Sequence, residues 1–186
     1  MPAPKSALAV GQRVYLRRPR ASDAPAFCAA VRASRAIHRR WTRPPATPKG
    51  YEAMLARCRR PAFKTLFACR REDDALVGVF DLSQIFHGVM QSAYLGYYAL
   101  APYARRGYMR EGLELMLRYA FRMLHLHRVE SNIQPANRRS IALVRRAGFV
   151  REGYSRRYLK IGGRWRDHER WALLVEDWRA RPSSRR

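Results

Sequence analysis

The sequence predicts an α/β fold in a single domain, in which helices cover a mixed sheet. Three observations predict it. The chain has 186 residues, of which 47% are apolar, which is enough for one sizeable core. Strand-like and helical patterns are interleaved along the chain rather than grouped by type. No internal repeat is visible in the sequence, so the segments read as parts of one unit.

The N-terminal half predicts two helices and four strands. An alternating strand over 13–17 precedes a helix that Ser22 or Asp23 can cap and that runs to about Ala33. A stiff proline-rich loop over 43–48 leads to a second helix over 51–59. Three strands are then predicted, over 63–70, 76–83 and 91–100.

The C-terminal half contains the clearest helix of the chain, which begins near Met109. Its apolar residues recur at helical spacing, namely Met109, Leu113, Met116, Leu117, Ala120, Phe121 and Leu124. A short strand over 128–134 and a helix over 138–146 follow, the latter opened by Asn137 and ended by Gly148. Strands over 149–161 and 164–174 form a hairpin around Gly162-Gly163. We therefore expect the domain to span 13–178, with flexible termini over 1–12 and 179–186.

The charge of the chain is strongly positive. A formal net charge of +24 arises from 38 basic and 14 acidic residues, and arginine supplies most of the cations. Such a field attracts polyanions such as RNA, a ribosome, an anionic membrane or an acidic protein, and arginine suits bidentate phosphate contacts. Arginine enrichment also follows from a GC-rich genome, so composition alone leaves both explanations open.

Cysteine usage and hydropathy indicate a reducing compartment. Cys28, Cys58 and Cys69 are odd in number and lack C-x-x-C spacing, which argues against a disulfide framework or a zinc knuckle. His125 and His127 are two residues apart but lack a third ligand, so no metal site is predicted. The sequence shows neither a signal-peptide pattern nor a run as long as a membrane span, so we expect a cytoplasmic protein without a membrane partner.

The segment 100–109 carries the most functional information in the sequence. It lies between a predicted strand and the amphipathic helix, and it contains Arg105 and Arg106. A loop of this kind directs successive backbone N–H groups to one point, and the helix that follows directs its positive end there as well. This geometry predicts a binding site for a diphosphate.

Several short motifs then resemble one family. The motifs are Tyr94-Leu95-Gly96-Tyr97, Gly107-Tyr108-Met109, Pro135-Ala136-Asn137, Ala147-Gly148-Phe149 and Trp165-Arg166-Asp167-His168. They stand in the order and at the distances found in GNAT N-acetyltransferases of the RimJ/RimL-like branch. The resemblance covers 13–178. It implies the GNAT fold, a mostly antiparallel sheet in which two parallel strands, here 91–100 and 128–134, splay apart and hold acetyl-coenzyme A.

The resemblance also implies which residues bind the cofactor. Backbone groups near the end of the first splayed strand would bind the pantetheine arm, the loop and helix start would bind the diphosphate, and an asparagine side chain would bind the pantetheine. The residues implied are Tyr98, Ala99, Leu100, Arg105, Arg106, Gly107, Tyr108, Met109, Arg110 and Asn137. The chain departs from the branch at Ala104 and Arg105, where glutamine and glycine are usual, and at Arg157, where many relatives carry an acidic residue.

Acetyl transfer to an amine requires a polarised thioester, a neutral amine and a proton source for the leaving thiolate. By resemblance, Ser140 is the candidate that donates a hydrogen bond to the coenzyme sulfur. Glu130, on the strand beside the proposed acetyl group, is the candidate base, ahead of Asp81 and Glu152. An N-terminal amine has an ordinary pKa of about 7.7–8.0, so part of it is already neutral in the cell.

The resemblance implies an acetyltransferase that modifies the N-terminal alanine of a small-subunit ribosomal protein. The basic surface is consistent with a partner surrounded by rRNA. Two alternatives remain open at this stage. One is an acetyltransferase for a small-molecule amine such as an antibiotic or a polyamine; the other is an RNA-binding ribosome-assembly factor with a vestigial acetyltransferase fold. The sequence does not indicate an oligomeric state.

Overall fold

The structure, a computed structural model, describes Pro4 and residues 6–181. Its centre is an eight-stranded sheet in the order β1-β2-β3-β4-β5-β6-β8-β7. The strands are β1 (Ala9–Val10), β2 (Val14–Arg17), β3 (Lys64–Arg70), β4 (Leu76–Phe86), β5 (Ser92–Ala99), β6 (Arg128–Ile133), β7 (Val150–Ile161) and β8 (Arg164–Leu174). The α-helices are α1 (Ala24–Ala33), α2 (Arg35–His38), α3 (Pro48–Cys58), α4 (Tyr108–Arg118), α5 (Arg138–Arg146) and α6 (Val175–Ala180).

One pair of strands differs from all other neighbours in the sheet. β5 and β6 run parallel, whereas the remaining neighbours pair antiparallel. Parallel neighbours need a crossover connection, and α4 provides it here. The prediction of a mostly antiparallel sheet with one parallel pair is confirmed.

Each face of the sheet is covered by its own set of helices. Side chains alternate along a strand, so Leu95 joins the core beneath α4, whereas Tyr98 packs with the core beneath α1 and α3. The first core includes Met116 of α4 and Val144 of α5, and the second includes Phe27 of α1. We call these the α4 face and the α1 face.

Several local predictions correspond closely to the observed elements. Asn137 opens α5 at the predicted position, and its Oδ1 accepts a hydrogen bond from the Ser140 N–H at 3.3 Å. Gly148 follows α5 with a φ of +86°. Gly162 and Gly163, with φ of +58° and +82°, form the turn of the β7–β8 hairpin. In each case short-range chemistry determines the conformation.

Other elements were not predicted. Residues 9–10, assigned from the sequence to a flexible terminus, form β1 and pair with Leu16 and Tyr15 of β2. Helices α2 and α6 were missed, and α4 ends at Arg118 in a π-helical turn over Tyr119–Met123. Arg181 binds Glu114 of α4 at 2.6 Å, so the fold extends beyond the predicted boundary at 178. Residues 1–3, 5 and 182–186, also predicted to be flexible, lie outside the described residues.

Two further features of the described chain are the character of its helices and the state of its cysteines. None of its helices combines the length and the apolar character that a bilayer crossing requires. Cys28 and Cys69 are buried and Cys58 is partly exposed, and all three are free thiols.

Candidate active site

The parallel strands β5 and β6 separate after three residue pairs. Their register runs from Ser92 opposite Arg128 to Tyr94 opposite Glu130. Just beyond, the Ser131 hydroxyl donates to the Leu95 carbonyl at 3.1 Å, which bridges the point where the strands part. Past this bridge the facing edges of both strands are open, so a ligand can lie between them.

Backbone alternation decides which β5 amides face this opening. The Leu100 amide donates to the Val77 carbonyl at 2.9 Å, so it points towards β4. The Tyr98 amide lies two residues earlier, opposite Val79, and points the same way, whereas the Ala99 amide faces the opening. Leu100 is fully buried. The structure therefore does not bring Leu100 to a ligand, which corrects the prediction for that residue.

The loop before α4 has the backbone shape of an anion site. Arg105 and Gly107 both adopt left-handed conformations, with φ of +67° and +84°. Gly107 is the N-cap of α4 and has no side chain to cap it, so the first-turn amides of Tyr108 and Met109 have no intrahelical acceptor. Left-handed residues followed by a free helix N-terminus form a concave group of N–H donors that suits a phosphate.

Two predicted cofactor residues are absent from the lining of the cavity described below. Arg106 is exposed and lies outside the cavity described below, and its carbonyl accepts from Arg13 Nη2 at 3.0 Å. The Tyr108 ring is buried, with the Arg13 guanidinium 4.3 Å from its centroid. Hydrogen bonds from Arg13 and Arg70 lower the pKa of the Tyr108 phenol. Only the backbone of these two residues belongs to the loop geometry, which corrects a side-chain role.

Helix α5 places its first turn against β5. The Tyr97 hydroxyl donates to the Ser140 carbonyl at 3.2 Å, and burial raises the pKa of Tyr97 to about 12. Asn137 Oδ1 caps the Ser140 amide. The carbonyl and the amide of Ser140 are thus both fixed, and the residue lines the cavity.

A cavity of about 710 Å³ runs through the opening between β5 and β6. It reaches both faces of the sheet, since residues of α4 and α5 line one end and residues of α2 and the loop after it line the other. The predicted residues that line it are Tyr98, Ala99, Arg105, Gly107, Met109, Arg110, Asn137 and Ser140. Leu100, Arg106, Tyr108 and Glu130 do not line it.

The candidate base Glu130 is engaged in an ion pair instead. Its Oε1 accepts from Arg128 Nε at 2.8 Å. Arg128 also binds Glu152, and that hydrogen bond holds the pKa of the Glu152 carboxyl below its usual value. Asp81 accepts from the Thr65 hydroxyl, and burial raises the pKa of Asp81. None of the three carboxylates lines the cavity, so the structure does not support them as the base.

Several polar residues of the cavity were not predicted from the sequence, and His38 and Asn132 are two of them. His38 ends the short helix α2, and Asn132 lies on β6 beyond the last pair with β5. Helix α2 is held near β5 because the Ser34 hydroxyl accepts from the Ala101 N–H at 2.8 Å. A contact across 67 residues leaves no local pattern in the sequence, so nothing there predicts His38.

The charge that lines the cavity has one sign. Arginines line it on the α4 face, and they are Arg105, Arg110, Arg139 and Arg146. Among the described residues that line it, none is Asp or Glu. Within the described chain no three His, Cys, Asp or Glu residues are grouped as metal ligands. The cavity therefore suits an anionic ligand at one end.

A split parallel pair, a phosphate-binding loop and a cavity through the opening together define an acyl-coenzyme A site. The profile of the acetyltransferase (GNAT) domain matches residues 13–150. The chain belongs to the GNAT acetyltransferase family, which confirms the family identified from the motifs. Acetyl-coenzyme A is the acetyl donor of that family.

Two curated relatives are similar to this chain in sequence. A probable N-acetyltransferase of Bacillus subtilis, YjcK, is 40% identical over 105 residues, which are 56% of this chain and 58% of the relative. The ribosomal protein uS5-alanine N-acetyltransferase of Escherichia coli is 39% identical over 107 residues, 58% of this chain and 55% of the relative. The aligned part thus spans little more than half the length of these relatives.

Solved structures share the fold more completely. Mycobacterium smegmatis RimJ, in complex with CoA-disulfide, superposes with a TM-score of 0.81 at 27% identity, over 88% of this chain and 83% of that one. Vibrio cholerae spermidine N-acetyltransferase, in complex with CoA and spermine, has a TM-score of 0.78 at 20% identity, over 90% and 99% of the two chains. The second likeness concerns the fold alone.

The residues present fit a coenzyme A donor. The left-handed loop and uncapped helix start provide N–H donors for a diphosphate, with Arg105 and Arg110 beside them. The open edge at Ala99 offers a backbone amide to a polyamide arm. Arg105 stands where the branch usually has glycine, and it adopts the left-handed conformation that glycine takes most easily.

Proposed function

We propose that this protein transfers acetyl from acetyl-coenzyme A to the N-terminal alanine amine of a small-subunit ribosomal protein. The cavity through the opening between β5 and β6 carries the proposal, because it joins a phosphate-binding end to a second, amine-accessible end. The 39% identity with a uS5-alanine N-acetyltransferase supports the choice of acceptor.

The cofactor contacts that we propose follow from the geometry. When bound, acetyl-coenzyme A supplies an activated acetyl thioester. The amides of the segment 105–109 and the side chains of Arg105 and Arg110 bind the diphosphate. The Ala99 amide and the Asn137 side-chain amide hydrogen-bond to the pantetheine arm.

We propose that Ser140 acts on the leaving group. Its backbone is fixed on both sides by Tyr97 and Asn137, and the residue lies at the cavity wall. A hydroxyl there donates a hydrogen bond to the sulfur as the C–S bond breaks. Ser140→Ala should lower kcat and leave the KM for acetyl-coenzyme A nearly unchanged. An unchanged kcat would refute this role.

The polyamine alternative is disfavoured by the charge of the cavity. A polyamine carries several ammonium groups, and a site for it needs carboxylates. The described lining contains arginines and no carboxylate, so a neutral N-terminal amine with one apolar residue behind it fits better. We expect an alanine-starting peptide to be acetylated with a higher kcat/KM than spermidine. A preference for spermidine in the same assay would favour the small-molecule alternative.

The acceptor protein itself is identified by comparing cells with and without the gene. Mass spectrometry of all protein N-termini should show the loss of one acetyl group from one ribosomal N-terminus. Re-expression of the wild-type protein restores the acetyl group, and re-expression of Ser140→Ala restores less of it. No change at any N-terminus would contradict a protein acceptor.

We also propose that the protein contacts rRNA. The net charge of +24 supports a binding surface for a polyanion. A cofactor-dead variant that still pellets with ribosomes would separate binding from catalysis. A protein that acetylates the peptide but does not pellet with ribosomes at low salt would contradict the rRNA contact.

A further inference from the structure

Two hydrogen-bond acceptors of the cavity have no partner in the described protein. His38 Nδ1 and Asn132 Oδ1 are both buried and make no hydrogen bond within it. Both residues line the cavity, and His38 is only 5% exposed. A buried polar atom without a partner costs about 1–3 kcal/mol, so two of them in one cavity indicate a ligand that brings N–H or O–H donors.

The hydrogen bonds of His38 define what its Nδ1 can do. Nε2 lies 2.7 Å from the Ala99 carbonyl, which is only an acceptor, so Nε2 carries the proton and donates it. Burial lowers the pKa of the His38 imidazole, which favours the neutral form. Nδ1 is therefore an unprotonated nitrogen with a free lone pair.

The ring of His38 is held in place from two sides. It packs edge-on against the Tyr98 ring, with 5.3 Å between the centroids. Its helix is fixed through the bond between Ser34 and Ala101. A base in a fixed orientation needs little rearrangement before it accepts a proton.

Both acceptors lie on the α1 face of the opening. Tyr98, which His38 contacts, packs with the core beneath α1 and α3. Asn132 lies between Ser131 and Ile133 on β6, and Ile133 packs in the core on the α4 face. Because side chains alternate along a strand, the Asn132 side chain points to the α1 face. Ser140 and Arg110 approach from α5 and α4 on the opposite face. The two acceptors thus lie across the opening from the residues proposed to bind the coenzyme.

We propose that His38 and Asn132 form the seat of the acceptor amine, in which His38 is the general base. A neutral primary amine has two N–H bonds, one for each acceptor, and its lone pair remains for the carbonyl carbon. A pantetheine amide has a single N–H and cannot satisfy both acceptors with one nitrogen. This inference rests on the proposed acetyl transfer, and it applies to any primary-amine acceptor.

In the proposed step, the amine nitrogen forms a C–N bond to the thioester carbonyl carbon, and the C–S bond breaks. The proton of the nitrogen passes to His38 Nδ1, and the Ser140 hydroxyl donates a hydrogen bond to the thiolate as it leaves. His38 then releases its proton to solvent, and the thiolate takes one from solvent, so the net products are the amide and the thiol.

The other buried histidine of the cavity, His168, is the competing candidate. The Nδ1 of His168 lies 2.9 Å from the Arg166 carbonyl, and its ring packs against Tyr158 at 6.0 Å between centroids. No atom of His168 is among the buried atoms that lack a partner. His168→Gln is therefore the comparison that separates one histidine from the other.

The test measures acetylation of an alanine-starting peptide by the full chain. His38→Gln keeps a side-chain amide donor for the Ala99 carbonyl but removes the base, so kcat should fall about 100-fold or more. Asn132→Leu should raise the KM for the peptide about tenfold, whereas Asn132→Asp, which keeps an oxygen acceptor, should raise it less. The affinity for coenzyme A should stay within about twofold of wild type in all three.

The matched control is His127→Gln. His127 is an exposed histidine paired with Glu176 at 3.2 Å, and it lies outside the cavity, so its replacement should leave kcat unchanged. An undiminished kcat in His38→Gln would overturn the proposal. So would a larger loss in His168→Gln than in His38→Gln. If the variants bind coenzyme A more weakly while kcat and the KM for the peptide stay unchanged, His38 and Asn132 contact the pantetheine arm and not the amine.

A second measurement does not depend on a variant that folds or on the identity of the acceptor. Nitrogen NMR of the imidazole rings in the wild-type protein should show an unprotonated Nδ1 for His38 at neutral pH. That signal should shift when a primary amine is added to the coenzyme A complex. A protonated Nδ1, or a signal that no added amine changes, would overturn the seat. If spermidine is acetylated and the peptide is not, the ribosomal acceptor fails, and the seat is tested on spermidine.

Discussion

Arg105 holds a backbone conformation that glycine adopts more easily. Its φ of +67° is in the left-handed region, which costs a residue with a side chain about 1–2 kcal/mol. The same side chain lines the cavity beside the loop amides. We interpret this strain as the cost of a cation at the phosphate-binding loop.

Substitutions at Arg105 should separate strain from charge. Arg105→Gly should raise the free energy of unfolding by up to about 1 kcal/mol, because it relieves the strain. It should also weaken coenzyme A binding, and Arg105→Glu should weaken it further, by about tenfold or more. Denaturant unfolding and calorimetric titration measure the two effects.

Arg106→Gly is the control for the Arg105 experiment. Arg106 shows no left-handed φ and its side chain lies outside the cavity, so glycine there should not stabilise the fold. An equal gain in stability at both positions would show that the φ of Arg105 is not the cause.

The buried imidazole of His38 should make stability depend on pH. Burial lowers its pKa in the folded protein, so the unfolded state binds the proton more readily. The contribution of His38 to stability is then present above its ordinary pKa of about 6.5 and is lost as pH falls through the folded pKa. The difference in unfolding free energy between wild type and His38→Gln should shrink between about pH 7.5 and about pH 5.5. A difference that grows over this range would contradict a neutral buried His38.

At the scale of elements, Arg181 joins two distant parts of the fold. The Arg181 guanidinium donates to both oxygens of Glu114 in α4 and to the Ala147 carbonyl after α5, at 2.6–2.9 Å. Its side chain is only 11% exposed. Burial raises the pKa of Glu114, and Arg181 opposes that effect.

Removing this contact should destabilise the fold measurably. Arg181→Ala leaves the Glu114 carboxylate half-buried without this partner, and we expect the free energy of unfolding to fall by about 1–3 kcal/mol. Arg179→Ala, at an exposed position of α6, should change it by less than about 0.5 kcal/mol. Equal effects in urea unfolding would show that α6 is held by its apolar residues alone.

The elements that the sequence predicts are those whose signals are local. Asn137 caps α5 through a bond to a residue three positions away, and Gly162-Gly163 forms the turn of its own hairpin. The cofactor loop is also local, because its amides come from consecutive residues. The family motifs add the splayed pair, which short-range patterns alone do not specify.

The elements that the sequence does not predict depend on distant partners. β1 is two residues long and exists through its pairing with β2. His38 reaches the cavity through Ser34, which binds a backbone amide 67 residues away. Glu130 appeared suitable as a base from its place on β6, but the ion pair with Arg128 depends on a side-chain orientation that sequence spacing does not give.

At the scale of the whole molecule, the charge favours a polyanionic partner over a polycationic one. The net charge of +24 favours polyanionic partners, of which the proposed rRNA is one, and the carboxylate-free lining of the described cavity disfavours a polycation. Both properties fit an acceptor that is a peptide emerging from a ribosomal particle. Under the proposed function, the charge acts at long range, whereas the cavity would select the amine at short range.

The two ranges should differ in their response to salt. Phosphate contacts release counterions, so ribosome binding should weaken steeply between about 50 and about 200 mM salt. Acetylation of a short neutral peptide should change much less over the same range, because the peptide carries no phosphates. Pelleting and acetylation assays at matched salt concentrations measure both. A parallel decline of the two activities would contradict the separation.

The central claim is that coenzyme A lies in the opening between β5 and β6 with its diphosphate at the start of α4. A crystal structure of the protein with coenzyme A tests it most directly. We expect the diphosphate against the amides of 105–109 and the sulfur beside Ser140, with His38 on the far side of the opening. A coenzyme bound elsewhere, or a protein that binds none at saturating concentration, would contradict the account.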